Sequence, residues 1–282
     1  MHLTTYPDAT AFLRQAQPAL EASGAASGRM LGICLRMVRY PERIATPPLF
    51  VTAGDDEGLV LAAVMAPPWN VVIHGLRGDL DAAACALAAY LQSERRPAPG
   101  VEGPAKVAAM AAAHLAEASG CRPRLERREH LYQLRAVHTP GPFHGRLRAA
   151  AESDTLLISL WWHGSSLAAF GRADAAESER VARRCIADGD VYLWDVGRPV
   201  SMAVQTGPTR TGITVGRVYT PPEERGHGYA TACVAELSRL LLAQGRDHCI
   251  LFVEASNAAA QRLYLRVGYR PVAEFLEIAL EG

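Results

Sequence analysis

The segment at residues 218–230 (VYTPPEERGHGYA) constrains the fold of this chain more than any other stretch. An apolar strand runs into two prolines, which lack an amide donor and therefore end strand pairing. A glycine-rich loop follows and leads into a helix that begins at about residue 228. The first turn of that helix directs free N–H groups and the positive end of its dipole at the loop. The segment therefore predicts an anion-binding cradle suited to a pyrophosphate.

Individual residues of this loop support the interpretation. Gly226 and Gly228 let the backbone approach a bulky ligand, and Arg225 can add a charge-assisted contact. Glycine-rich turns also precede helices where nothing binds, so an unliganded turn is the structural alternative. The common nucleotide fingerprints are absent, because no GxxxxGK[ST] occurs, Lys106 is the only lysine, and no GxGxxG follows a strand.

Composition excludes several classes of protein. The 282 residues carry 29 basic and 29 acidic side chains, and this balance argues against a general nucleic-acid binder. A hydrophobic fraction of 49% is typical of a globular protein. The sequence has no apolar run of about 18 residues and no recognisable secretory signal, so we expect no membrane span.

The cysteines are scattered and form no CxxC pair, which predicts free thiols, a cytoplasmic location and no structural metal site. They are Cys34, Cys85, Cys121, Cys185, Cys233 and Cys249.

A boundary is predicted at residues 138–145, where two prolines and two glycines fall within eight residues. We therefore expect two halves, 1–138 and 145–282, each in the order helix, helix, strands, helix, strand, which weakly indicates a duplication. In the first half, helices are predicted at about 8–22, 28–39, 80–92 and 105–119, strands at 48–52, 59–66, 69–76 and 129–137, and a loop at 97–104. In the second, helices are predicted at about 153–169, 174–187, 228–243 and 257–266, and strands at 146–149, 190–196, 199–205, 213–219, 249–254 and after Gly268.

Two motifs carry a family resemblance. Residues 225–230 (RGHGYA) match the Q/R-x-x-G-x-G/A loop of the GNAT superfamily of acyl-CoA-dependent N-acetyltransferases. Residues 251–269 (LFVEASNAAAQRLYLRVGY) resemble the second motif of that superfamily, in which Ala, Tyr and a Gly-aromatic pair follow a strand that ends in Asn. The sequence of residues 218–230 also resembles that of a bacterial subgroup in which a degenerate GNAT-like half precedes an intact one.

The resemblance implies an α/β (α+β) fold of two tandem GNAT-like domains, each a mixed, mostly antiparallel sheet flanked by helices. Residues 145–282 would form the catalytic domain and residues 1–138 a degenerate domain without a CoA site. In the first half, alignment of Arg77 with Arg225 places Leu80 where Gly228 stands. Asp79 and Asp81 then flank the corresponding position, and two carboxylates oppose an anion.

The implied cofactor is acetyl-CoA, with the pantetheine arm along the strand end and the pyrophosphate on the loop amides. The implied cofactor-binding residues are Val218, Tyr219, Thr220, Arg225, Gly226, His227, Gly228, Tyr229, Ala230, Asn257, Ala260 and Tyr264. Asn257, Ala260 and Tyr264 follow the spacing i, i+3, i+7 and share one helix face.

The resemblance makes Tyr264 the general acid for the departing thiolate, after direct attack by a primary amine of a small molecule or peptide. The general base stays open among Glu254, Tyr219, His163 and a water chain. Phe252 stands where members that acetylate protein N-termini carry Glu, which argues against that substrate class. The alternatives are a non-catalytic acyl-CoA-binding regulatory module and a transferase of longer acyl groups. The acceptor is not identified, and a monomer and a homodimer are both compatible with the sequence.

Overall fold

The structure is a computed structural model that describes residues 1–138 and 143–282. The predicted boundary at 138–145 therefore lies partly outside the described residues, since 139–142 are not among them. The helices are α1 (Ala9–Ala22), α2 (Gly28–Arg39), α3 (Leu80–Ser93), α4 (Ala105–Ser119), α5 (Thr155–Phe170), α6 (Ala175–Ala187), α7 (Tyr229–Ala243) and α8 (Ala258–Val267). The strands are β1 (His2–Tyr6), β2 (Leu49–Asp55), β3 (Gly58–Met65), β4 (Val71–Gly75), β5 (Gly100–Pro104), β6 (Arg122–Leu134), β7 (Arg146–Ala149), β8 (Val191–Asp195), β9 (Pro199–Thr206), β10 (Gly212–Tyr219), β11 (His248–Glu254) and β12 (Arg270–Glu281).

The chain divides into two compact units. Unit 1 contains Met1–Leu131, Phe252–Asn257 and Pro271–Gly282, and unit 2 contains Tyr132–Leu251 and Ala258–Arg270. The end of the chain therefore belongs to unit 1, whereas the predicted halves are continuous in sequence. Within the described residues, no helix combines the length and apolar character needed to cross a membrane.

Unit 1 is built on a sheet in the order β1-β2-β3-β4-β5-β12-β6. The β4–β5 pair is parallel, and the pairs β1–β2, β2–β3, β3–β4 and β5–β12 are antiparallel. Successive residues of β3 belong to different cores, because side chains alternate across a strand. Leu61 and Ala63 pack with α3 and α4, whereas Ala62 and Val64 pack with α1 and α2. Burial on both faces explains why these strands read as continuous apolar runs.

Unit 2 has a sheet in the order β11-β10-β9-β8-β7. The β10–β11 pair is parallel and the remaining pairs are antiparallel. Helices α5 and α6 form one core with β8 and β9, around Ile158, Leu193 and Met202. Helix α7 packs against β8, β9 and β10 through an apolar face that includes the fully buried Cys233 and Leu237. Each unit is therefore a mixed, mostly antiparallel sheet flanked by helices, as the family resemblance implies.

The predicted loop at 97–104 is wrong, because residues 100–104 form strand β5. A prediction from composition misses this strand because it contains glycines, and glycine generally weakens strands. Here the glycines permit close backbone approach: a Cβ at Gly103 would collide with the carbonyl oxygen of Ile73, and one at Gly100 with that of Ile278. Strand β1 is likewise an addition to the predicted elements.

The substitution Gly103→Ala tests this account of β5. The added methyl group has no space, so the free energy of unfolding should fall by about 1–3 kcal/mol in urea denaturation. Gly216→Ala is the matched control, because a Cβ at this strand glycine meets nothing within 4 Å. Equal denaturation midpoints for the two variants would contradict the packing described here.

Candidate functional site

The end of β10 is fixed by its neighbours in unit 2. Its parallel register with β11 runs from Gly212 opposite His248 to Thr214 opposite Ile250, and β10 continues to Tyr219. The register with β9 shifts between Gly216 and Tyr219. The Ser201 hydroxyl donates to the Tyr219 carbonyl at 3.2 Å and lies 2.9 Å from the Thr220 hydroxyl. The predicted residues Val218, Tyr219 and Thr220 therefore sit on an anchored strand end.

One carboxylate of the acidic turn after β10 is paired within the protein. Glu224 is buried, and its carboxylate pairs with Arg198 at 2.5 Å. The hydrogen bond and charge of Glu224 raise the pKa of the Arg198 guanidinium. Arg225 is exposed, and its Nε donates to the Thr220 carbonyl at 3.1 Å. The loop thus keeps an exposed cation while one of its carboxylates is paired.

Both predicted loop glycines have a left-handed backbone, with φ of +85° at Gly226 and +79° at Gly228. This conformation favours glycine whether or not a ligand binds. A Cβ at either position would meet nothing within 4 Å, so the space beside the loop is open. Between them, the His227 ring stacks on that of Tyr229 with centroids 5.4 Å apart.

Helix α7 begins without a side-chain cap, because its N-cap residue is Gly228. The Ala232 amide donates to the Gly228 carbonyl at 3.0 Å, which leaves the amides of the preceding turn without acceptors inside the helix. Helices α1, α3 and α6, in contrast, are capped by the carboxylates of Asp8, Asp79 and Asp174. The start of α7 therefore offers unfilled N–H groups and a positive dipole end to an anion.

The corresponding turn in unit 1 holds a carboxylate of its own. Asp79 accepts a hydrogen bond from the Ala82 amide at 3.0 Å and so caps α3. The side chain of Leu80 covers Gly75, where an added Cβ would lie 2.8 Å from Leu80 Cδ2. Arg77 pairs with Asp55, and this hydrogen bond holds the pKa of the Asp55 carboxyl below its usual range. An external anion at α3 would have to displace the Asp79 carboxylate.

Tyr264 and Ala260 lie on α8 in unit 2. Tyr264 is 9% exposed, and its ring meets that of Tyr269 edge to face at 5.9 Å. Burial raises the pKa of the Tyr264 phenol, and the nearby Cys233 raises it further. The hydroxyl therefore keeps its proton at neutral pH, as a general acid must.

The structure assigns Glu254 and Asn257 to unit 1, in the segment 252–257. Glu254 is exposed at the end of β11, and its carbonyl accepts from the Asn257 amide at 2.9 Å. Phe252 has packing partners in unit 1, since its ring lies 3.6 Å from the guanidinium carbon of Arg29 and 5.0 Å from the Phe275 ring. Unit 2 itself contains the strand end, the loop and α8.

A polar cluster in unit 2 is not among the sites predicted from the sequence. Arg217, inside β10, contacts Trp162, Ser165 and Ser166 of α5. An arginine within an apolar strand (GITVGRVY) is the signal that could have identified it. On the same helix, His163 Nδ1 is buried without a hydrogen-bond partner in the described structure.

A cavity of about 280 Å³ lies in unit 1, lined by residues of α3 and α4, the segment 95–98, Cys121 and Leu280. Its lining contains none of the predicted site residues.

Comparison with known proteins places this geometry in context. A family model described as FR47-like protein matches residues 201–276, which include the end of β10, the glycine loop and α8. A search of curated proteins gave no match to this sequence.

Solved structures match over the whole chain. An acetyltransferase of the GNAT family from Colwellia psychrerythraea aligns with a TM-score of 0.64 at 13% identity and covers 100% of both chains. A tandem GNAT protein from the clavulanic acid biosynthesis pathway, in a structure without acetyl-CoA, aligns with a TM-score of 0.60 at 15% identity over 100% of this chain and 99% of its own. A GCN5-related N-acetyltransferase from Sphaerobacter thermophilus aligns with a TM-score of 0.59 at 19% identity over 99% and 95%. The predicted tandem fold is therefore confirmed.

The role of Asp79 can be tested by replacing its carboxylate. Asp79→Ala removes the cap of α3, and loss of such a cap costs about 1 kcal/mol. Hydrogen exchange at the first-turn amides of α3, Ala82 among them, should accelerate. Asp79→Asn retains a capping oxygen and should exchange like the parent protein; unchanged exchange in Asp79→Ala would show that the carboxylate does not hold this turn.

Proposed function

We propose that this chain, which has the fold of the GNAT acetyltransferases in two tandem copies, is an acetyl-CoA-dependent N-acetyltransferase with one cofactor site. The GNAT fold supports acyl transfer from acetyl-CoA. The observation that carries the proposal is the uncapped start of α7 behind two left-handed glycines. In unit 1 the corresponding helix is capped by Asp79, which supports a single site per chain.

The proposed site holds the two ends of the cofactor differently. The pyrophosphate would accept hydrogen bonds from the amides at the start of α7, with the exposed Arg225 adding charge. Backbone groups of residues 218–220 at the end of β10 would pair with the pantetheine arm. Asn257 remains a proposal from its motif, as a hydrogen-bond partner of the same arm.

The chemistry needs a neutral amine, a polarised thioester carbonyl and a proton for the leaving group. The amine nitrogen attacks the carbonyl carbon and forms the C–N bond, the amine loses a proton, and the C–S bond breaks. Tyr264 is the proposed donor to the departing thiolate, because its buried phenol stays protonated. Glu254, Tyr219 and His163 remain candidates for the group that accepts the amine proton.

Two cysteines of unit 2, Cys233 and Cys249, are poor nucleophiles, which supports direct transfer without a covalent intermediate on either of them. Cys233 and Cys249 are fully buried, and burial raises the pKa of each thiol to about 12. A cysteine nucleophile reacts as the thiolate, which these environments disfavour.

A non-catalytic acyl-CoA-binding module is the second candidate, and it shares the loop and the helix N-terminus. Tyr264 favours the enzyme, since a module that only binds does not require a buried proton donor. Transfer of a longer acyl group would use the same loop and the same tyrosine.

Paired glutamate substitutions test the cofactor site. Saturating acetyl-CoA should raise the melting temperature of the parent protein, because binding at 100 times the dissociation constant adds about 2.7 kcal/mol to the free energy of unfolding. Gly228→Glu should abolish this shift, because the new carboxylate faces the amides proposed to bind phosphate. Gly189→Glu is the matched control: Gly189 is exposed, with φ of +74° and nothing within 4 Å of its Cβ position. A full shift in Gly228→Glu would contradict the proposed site.

Tyr264→Phe tests the enzymatic reading against the binding module. The variant should lower kcat about 100-fold or more, while the dissociation constant for CoA changes little. Because the phenol pKa is raised, activity of the parent protein should not fall through loss of this proton as the pH rises from 7 to 9. Tyr192→Phe, on β8, is the control; full turnover in Tyr264→Phe would exclude the general-acid role.

A further inference from the structure

Arg217 has an unusual backbone. It lies on β10 where the pairing with β9 is irregular, and its φ is +42°, in the left-handed region that disfavours residues with a side chain. Irregularities of this kind re-aim side chains and occur often beside active sites. Strained backbone also clusters at functional sites, where the surrounding structure maintains it.

The guanidinium of Arg217 lies in a half-buried pocket of neutral groups. Its carbon is 4.3 Å from the centroid of the Trp162 ring, and its Nη1 lies 3.1 Å from the hydroxyl oxygens of both Ser165 and Ser166. These three residues follow the spacing i, i+3, i+4 and share one face of α5. The pocket therefore offers a flat aromatic support and two hydroxyls.

This cation lacks a carboxylate partner. The described residues include every Asp and Glu of the chain, and none of them pairs with Arg217; the group that acts on its charge is the buried thiol of Cys185. Burial lowers the pKa of its guanidinium, but arginine stays charged in proteins. A charge withdrawn from water without a counter-ion is unfavourable, so the pocket fits an external anion.

The pocket lies beside the strand end proposed to hold the pantetheine arm. Tyr219 of that strand end and Arg217 contact adjacent residues of α5, since the Tyr219 ring lies 6.4 Å from the Trp161 ring and the Arg217 guanidinium carbon lies 4.3 Å from the Trp162 ring. The partners of Arg217 belong to α5, whereas the loop proposed to hold the pyrophosphate leads into α7. The groups proposed to bind the pyrophosphate therefore lie where the loop enters α7, whereas Arg217 lies where β10 contacts α5.

We propose that Arg217 binds a carboxylate of the acceptor, so that the acceptor is a small amine that also carries a carboxylate, as amino acids do. A guanidinium recognises a carboxylate through two parallel hydrogen bonds, a geometry that a lysine does not provide. The two serine hydroxyls hold one side of the guanidinium and leave the rest of its donors for the ligand. This assignment rests on the proposed acetyltransferase function and narrows its substrate class.

The test compares acceptors that differ only in charge. Calorimetry on CoA-saturated protein would measure binding of glycine, β-alanine and 4-aminobutyrate against the amide of each acid. The acids should bind at least 10-fold more tightly than their amides. With acetyl-CoA, thiol release should show the same preference as a lower KM.

Variants of Arg217 identify the residue responsible. Arg217→Gln should weaken binding of the acids about 30-fold or more and leave binding of the amides within about threefold. Arg217→Lys should give an intermediate loss, because it keeps the charge without the paired donors. Arg180→Gln is the control, since Arg180 lies on the exposed surface of α6 and pairs with Glu177.

The possible failures are distinguishable. Equal binding of acids and amides by the parent protein overturns the carboxylate assignment even if Arg217→Gln does not fold. Equal losses for acids and amides in Arg217→Gln also overturn it. The absence of any acetyl-CoA-dependent thiol release, with carboxylate binding intact, would instead refute the proposed enzymatic function.

Discussion

The free N–H groups at the start of α7 are the constraint on which this account depends. A helix N-terminus needs acceptors for its first amides, and a side chain supplies one at α1, α3 and α6. At α7 the capping position is Gly228, whose left-handed backbone turns the chain into the helix. The loop therefore presents donors that an external anion can satisfy. The ion pair between Glu224 and Arg198 keeps a neighbouring carboxylate from opposing that anion.

The two units differ in how the first amides of the corresponding helices, α3 and α7, find hydrogen-bond acceptors. Unit 1 places Asp79 at the start of α3, and its carboxylate satisfies an amide of the first turn. Leu80 follows and covers Gly75, so this turn is closed by side chains of the unit itself. The two units thus differ in the short loop before this helix. In unit 1 a side chain of the loop caps the helix, whereas in unit 2 the first amides of the helix have no side-chain cap. This difference gives a duplicated fold one proposed site rather than two.

Much of this arrangement is predictable from the sequence. Alanine-rich helices such as α4 and the glycine loop before α7 follow from intrinsic propensities and backbone freedom. Strand β5 was missed, since its glycines serve close packing against Ile73 and Ile278, which only the tertiary structure reveals. The placement of β12 in unit 1 was also inaccessible, because pairing with β5 is a long-range contact.

Part of the candidate site was also predictable from the sequence, and part of it was not. The glycine loop and Tyr264 follow from motifs, and the structure adds the reason why each glycine is required and why the phenol stays protonated. Arg217 was overlooked because sequence periodicity does not reveal that a strand residue lacks a counter-ion. Its significance depends on the neutral groups of α5 around it.

The most direct test of the central claim is the stoichiometry of acetyl-CoA binding, measured by isothermal titration calorimetry on the full chain. We expect one molecule per chain, because the start of α7 behind the glycine loop has no side-chain cap, whereas its counterpart in unit 1, the start of α3, is capped by Asp79. Two molecules per chain would show that the Asp79 carboxylate does not exclude the cofactor. No binding at millimolar acetyl-CoA would contradict the proposed function itself.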